Sequence, residues 1–218
     1  MRRIITLLLC AAAILFVAPL SACKETTARN SCFLDLYYDA DAGIISGKAV
    51  YKFVNSSNEM LNKIKFNLYP NAYNEKNKAF FESYKDAYYQ GGSFGGIKIL
   101  SCSSDENASG NVPKENLEFS VSEDELTLEV LCNDLLPDKS AEIAINFETT
   151  LPKARLRLGI TENTVNLGEC YPALCKIDEN EFVPTGYHSF GDPYFSDVFD
   201  YRAEINVPSE KYRSEEHT

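Results

Sequence analysis

From Cys32 onward the chain alternates apolar and polar positions with a period of two. Leu34, Leu36 and Tyr38 fall on one side, and Phe33, Asp35 and Tyr37 on the other. Successive side chains of an extended strand point to opposite faces, so this is the pattern of a half-buried strand. Asp39-Ala40-Asp41-Ala42-Gly43 has turn chemistry, and alternation resumes over residues 44–54, which predicts an antiparallel pair. A second turn, Asn55-Ser56-Ser57-Asn58, leads to a third strand carrying Leu61, Ile64, Phe66 and Leu68 and stopping near Pro70. Further strands are predicted over residues 97–102, 116–121, 125–132 and 141–149, and the basic run at 152–158 reads as an edge strand, where Lys and Arg discourage edge-to-edge association. Only residues 79–89 have helical spacing, with Phe80, Tyr84 and Ala87 along one face. With no internal repeat and no heptad, the pattern predicts an all-β protein: an antiparallel sheet or sandwich with at most one short helix.

The amino-terminal segment follows a different logic. Arg2 and Arg3 precede an apolar run over residues 4–17, and Leu20-Ser21-Ala22-Cys23 follows. That tetrapeptide resembles a bacterial lipobox, in which cleavage leaves a diacylglyceryl-modified cysteine at the mature terminus. The expectation is a lipoprotein signal peptide at 1–22, lipidation at Cys23, a polar tether at 23–31 and a domain on the extracytoplasmic face of a bacterial cell membrane. An ordinary cleaved signal and an uncleaved anchor are the competing readings. Five cysteines then remain in the domain, an odd set, so at most one or two disulfides are expected, with no pairing assigned, and buried free thiols are the alternative. The formal charge of −11 argues against a nucleic-acid partner, which needs clustered cations to displace counterions. An acidic field attracts cationic ligands such as peptide amino termini.

Candidate chemistry is sparse. The two histidines are His188 and His217, and there is no HExxH, so the chain cannot build a helix-borne zinc site of that type. Cys170 and Cys175 are too far apart for a CxxC knuckle. His188, Ser189 and Asp192 are too close in sequence to converge as a triad. Asp192, Asp197 and Asp200 read as turn residues, and Gly191-Asp192-Pro193 with Asp197 lacks EF-hand spacing. The glycine pairs at 91–92 and 95–96 are not followed by the lysine-serine pair of a P-loop.

Two sets of residues carry a family resemblance. The first is Gly47, Tyr51, Asn55 and Ser56, followed by Phe66, Leu68, Tyr69, Pro70, Asn71 and Ala72. The second is Leu158 to Asn163, then Asn166-Leu167-Gly168-Glu169-Cys170-Tyr171-Pro172, then Gly191 to Asp197, closing with Asp200, Tyr201, Ile205, Val207 and Pro208. In this order they resemble the amino-terminal domain of gluzincin zinc aminopeptidases, the membrane alanyl aminopeptidase family, across most of residues 32–212. The resemblance implies a saddle-like all-β domain capping a thermolysin-like catalytic domain. It also implies that a Gln or Glu several residues before the aromatic-proline turn helps hold the peptide's free amino group. Glu162 or Asn163 occupies that neighbourhood. The family's arginine before the turn is missing, and its cysteine after the proline is displaced to Cys175.

The resulting expectation is the non-catalytic amino-terminal domain of a surface lipoprotein zinc aminopeptidase, inactive alone, with Glu162 and Asn163 contacting the peptide and no metal ligand in this chain. Zinc is expected in the missing catalytic domain. Residues 213–218 read as a non-native tail. The alternative is a stand-alone lipoprotein β-sandwich that presents the aromatic-rich loop from Tyr187 to Phe199 to a ligand or protein partner.

Overall fold

In the computed structural model, residues 29–77, 82–104, 115–187 and 195–210 are described. The expected signal peptide, Cys23, most of the tether, His188, Ser189, Asp192 and the carboxy-terminal tail lie outside them. Strand β1 (Ser31–Asp39) buries Cys32, Leu34, Leu36 and Tyr38 and exposes Asp35 and Tyr37, following the sequence period. It turns into β2 (Ile44–Val54) through Asp39, whose Oδ1 accepts the backbone N–H groups of Asp41 and Ala42, both at 3.0 Å. Gly43 closes that turn with φ +68°, a conformation that suits glycine because it has no Cβ.

Two sheets enclose the core. Besides β1 and β2, the larger contains β4 (Gly96–Ser104), β5 (Asn116–Leu117), β8 (Ser140–Thr150) and β14 (Asp200–Asn206), in the order β14-β1-β2-β8-β4-β5. The smaller contains β3 (Leu61–Asn67), β6 (Phe119–Val121), β7 (Thr127–Leu135) and β11 (Ala173–Leu174), in the order β11-β3-β7-β6. Two ribbons complete the set: β9 (Leu158–Ile160) with β10 (Val165–Leu167), and β12 (Lys176–Asp178) with β13 (Glu181–Val183). The second ribbon turns through Glu179 (φ 45°) and Asn180 (φ 77°), the paired positive φ values of a type I′ turn. All strand pairs are antiparallel except β1 with β14. The fold is all-β, as the sequence predicts.

The interior is one hydrophobic cluster drawing on both sheets. Tyr51 of β2 meets Phe66 of β3 at 5.1 Å between ring centroids, and Phe53 meets Phe182 at 6.4 Å. Burial of each such side chain stabilises the fold by roughly 1.5–3 kcal/mol. Buried polar residues have specific partners. Asn55 donates to the carbonyls of Glu59 and Leu135 and accepts from Ser57. Asn71 donates to Glu125 O and accepts from the Ile97 N–H, each at 2.7 Å, tying the 3-10 turn at Tyr69–Tyr73 to β4.

Four local expectations change. The strand expected over residues 116–121 divides at Glu118 into β5 of the larger sheet and β6 of the smaller. The run 152–158 is not an edge strand: it folds into bends in which Ala154 N–H donates to Pro152 O, Arg155 N–H donates to Ala87 O, and Ala154 is fully buried. Its backbone groups are therefore used inward, and extended structure begins only at Leu158. Of the expected short helix, residues 79–81 are outside the described residues, and its later part holds a 3-10 turn at Lys85–Ala87. The strand expected from residue 125 starts at Thr127, because Glu125 takes φ 63° in a turn. The described cysteines, Cys32, Cys102, Cys132, Cys170 and Cys175, are all free thiols.

Candidate functional site

Glu162 and Asn163 sit at the tip of the β9–β10 hairpin, which the Thr161 N–H bond to Thr164 O closes. Both are exposed. The Glu162 carboxylate is already engaged by Arg155, whose Nε donates at 3.2 Å and whose Nη2 makes a second, shorter contact. The same guanidinium lies 5.3 Å from the Tyr89 ring centroid. Hydrogen bonding from Arg155 holds the Glu162 carboxyl below its usual range. The Asn163 N–H donates to Thr161 Oγ1 at 3.2 Å. The tip is thus a structured turn with one ion pair.

At the opposite end of the hairpin, after β10, the chain makes a second and tighter turn through Gly168-Glu169-Cys170-Tyr171-Pro172. Gly168 N–H donates to Arg157 O at 2.9 Å. A Cβ on Gly168 would stand 2.8 Å from that same oxygen, so glycine is needed for the close approach. Glu169 then takes φ 52°, in the left-handed region that non-glycine residues seldom occupy. Two buried hydroxyls of the large sheet bind the carbonyls beyond it. Thr149 Oγ1 donates to Cys170 O at 2.7 Å, and Tyr51 Oη donates to Pro172 O through a short hydrogen bond.

Glu169 is half-buried. Burial is the main cause raising the Tyr171 phenol, and the Glu169 charge is the next. Burial also pushes Tyr201 up to about 12, with Glu169 among the smaller causes, and Glu169 adds to the raised values of Tyr69, Cys32 and Cys170. The Glu169 charge thus adds to the upward shift of three phenols, all neutral at ordinary pH. Tyr171 and Tyr201 are 6.2 Å apart by ring centroid, and Phe199 lies 5.7 Å from Tyr201 and 6.2 Å from Tyr51. A carboxylate in a turn that also carries an aromatic ring is chemically suited to an organic cation, through charge pairing and the negative ring face.

Glu169 lies inside one of the quoted motifs, although the sequence does not single it out. The readable signal was its flanks, a glycine before and an aromatic-proline pair after, which mark a tight turn. Its surroundings come from β2, β8 and the segment entering β14, and no local pattern shows them. Of the aromatic-rich loop, Tyr187 packs on Tyr73 at 5.6 Å and its hydroxyl hydrogen-bonds Tyr73 Oη at 2.9 Å. Phe195 lies under Lys176 Nζ at 4.7 Å, and Val198 is fully outward. Asp200 pairs with Arg29 at 3.5 Å. Among the described residues, no three His, Cys, Asp or Glu side chains converge to hold a metal ion, so they do not fit zinc.

No family model matches the chain, and no curated protein sequence matches it. Among solved structures it is similar to zinc metallopeptidases. The M1 zinc metallopeptidase from Deinococcus radiodurans aligns over 62% of this chain and 24% of its own length, with 12% identity and a TM-score of 0.36. A two-domain M1 zinc metallopeptidase mutant bound to L-tryptophan aligns over 56% and 21%, with 11% identity and a TM-score of 0.34. The yeast LTA4 hydrolase aligns over 87% and 27%, with 13% identity and a TM-score of 0.35. The chain spans about a quarter of the length of these proteins. At these identities and scores the likeness assigns no activity to this chain.

Proposed function

We propose that this chain is the amino-terminal, non-catalytic β-domain of a membrane-anchored zinc aminopeptidase-like lipoprotein, and that it helps hold the free amino terminus of a peptide. The observation that carries the reading is Glu169, a half-buried carboxylate held in a left-handed turn two residues before Tyr171, whose ring lies 6.2 Å from that of Tyr201. A peptide's terminal ammonium is the cation that such a group would select, because acetylation or an added residue removes or displaces the charge. Support comes also from the first motif set, whose residues have structural uses: Gly47, Tyr51, Asn55 and Asn71 are each built into close packing or buried hydrogen bonds. Glu162 and Asn163, at the exposed end of the same hairpin, are second candidates for contact with the peptide. In this reading zinc is held by another domain, which supplies the hydrolytic chemistry.

The test is the protein in its native membranes, detected by an antibody against residues 32–210. The expected result is a membrane-extracted polypeptide several times larger than 24.4 kDa that carries zinc and releases amino-terminal residues. A zinc-free species of the size of this chain would contradict the proposal and favour the stand-alone binding module.

A further inference from the structure

Resting on the reading of Glu169 as an ammonium contact, we infer that Thr149 and Tyr51 are positioning residues that hold Glu169 in its left-handed conformation. A glutamate at φ 52° is strained and persists only where its surroundings over-determine it. Here the surroundings are specific. Thr149 on β8 and Tyr51 on β2 are both fully buried, and these strands are paired neighbours in the large sheet. Their hydroxyls reach out of an apolar interior to the carbonyls of Cys170 and Pro172, the two residues flanking Tyr171. On the other side of Glu169, the Gly168 N–H is tied to Arg157 O. The backbone is thus pinned both before and after the strained residue.

A valine and a phenylalanine would satisfy the packing of the same two sheet positions. The hydroxyls add hydrogen bonds to this turn and so connect the rigid sheet to the carboxylate. Losing either hydroxyl leaves a buried carbonyl without that partner and frees the turn to relax toward an extended φ at Glu169.

The experiment uses isotope-labelled full chain with alanine amide as the cationic probe and N-acetyl-alanine amide as the uncharged control. The intraresidue HN–Hα NOE and the Cα shift of Glu169 report its left-handed φ. In T149V and Y51F the signature should be lost and the affinity for alanine amide should fall at least tenfold, while T149S keeps both. E169Q should lose alanine amide binding and retain the fold. Folded T149V and Y51F variants that keep the left-handed signature overturn the inference, and so do variants that lose it yet bind as tightly as the unsubstituted chain. If E169Q binds alanine amide as well as the unsubstituted chain does, the ammonium reading falls instead, and the NOE still decides whether the two hydroxyls hold the turn.

Discussion

Gly47 shows how a single position can be visible in a sequence while its reason is not. It stands in the first motif set, but the cause lies a hundred residues away: a Cβ there would stand 2.4 Å from the Phe147 ring and 2.8 Å from Leu36 Cδ2. The β2–β8 register that sets Gly47 opposite Phe147 is a long-range pairing, which local periodicity does not encode. Overpacking of this kind costs about 1–3 kcal/mol, so Gly47→Ala should lower the urea midpoint of unfolding at an unchanged m-value, and an unchanged midpoint would contradict the packing. Glu129 offers a second test at this scale. It receives Lys63 at 3.0 Å and Lys65 at 3.1 Å, and hydrogen bonds from these lysines lower its carboxyl below the ordinary 4.5. A lowered folded value means the contribution is present above the unfolded value and is lost as pH falls through the folded one. The stability difference between the chain and Glu129→Gln should therefore shrink as pH drops below about 4.5, measured by denaturation at a series of pH values.

At the scale of elements, the long strands were legible because each has one buried face. The period of two survives intact in β1 and is interrupted in β2 only at Gly47, while in β8 it breaks where Ile143, Ala144 and Ile145 are buried in succession. What failed was the run 152–158, where a buried Ala154 and an inward-turned backbone replace the alternation that a strand would show. The parallel placement of β14 beside β1 was equally invisible, since a strand's own pattern does not tell its direction. The cysteines are also an element-scale property: packing between elements buries Cys32, Cys102, Cys170 and Cys175 and half-buries Cys132. Burial pushes Cys32, Cys102, Cys170 and Cys175 up to about 12 and Cys132 up to about 11, from 9.0. Thiolate is the reactive form, so a disulfide reagent at pH 8 should modify the four buried positions, Cys32, Cys102, Cys170 and Cys175, only after unfolding. The sign for stability is the reverse of Glu129: raised values leave stability intact below 9.0 and remove it as pH rises toward about 12. Rapid native-state labelling at those four positions would contradict this burial.

For the whole molecule, the two sheets share one interior, and the candidate site depends on that union. Glu169 follows the β9–β10 ribbon, its hydroxyl pins come from the large sheet, and Pro172 leads directly into β11 of the small one. An all-β domain was legible from the alternating pattern, and the resemblance implied an aromatic-proline turn at Tyr171-Pro172, whereas the pairing of the Tyr171 ring with Tyr201, and the hydroxyls of Thr149 and Tyr51 that reach this turn, exist only once the chain is assembled. Glu162 and Asn163 lie at the other end of the hairpin, with Glu162 engaged by Arg155. The central claim is therefore tested most directly by titrating the chain with alanine amide and with its N-acetyl form, comparing the unsubstituted protein with E169Q and E162Q by NMR. The expected result is saturable binding of the free amine, none of the acetylated form, loss of binding in E169Q and retention in E162Q. Equal binding of both probes, or binding unaffected by E169Q, would contradict it.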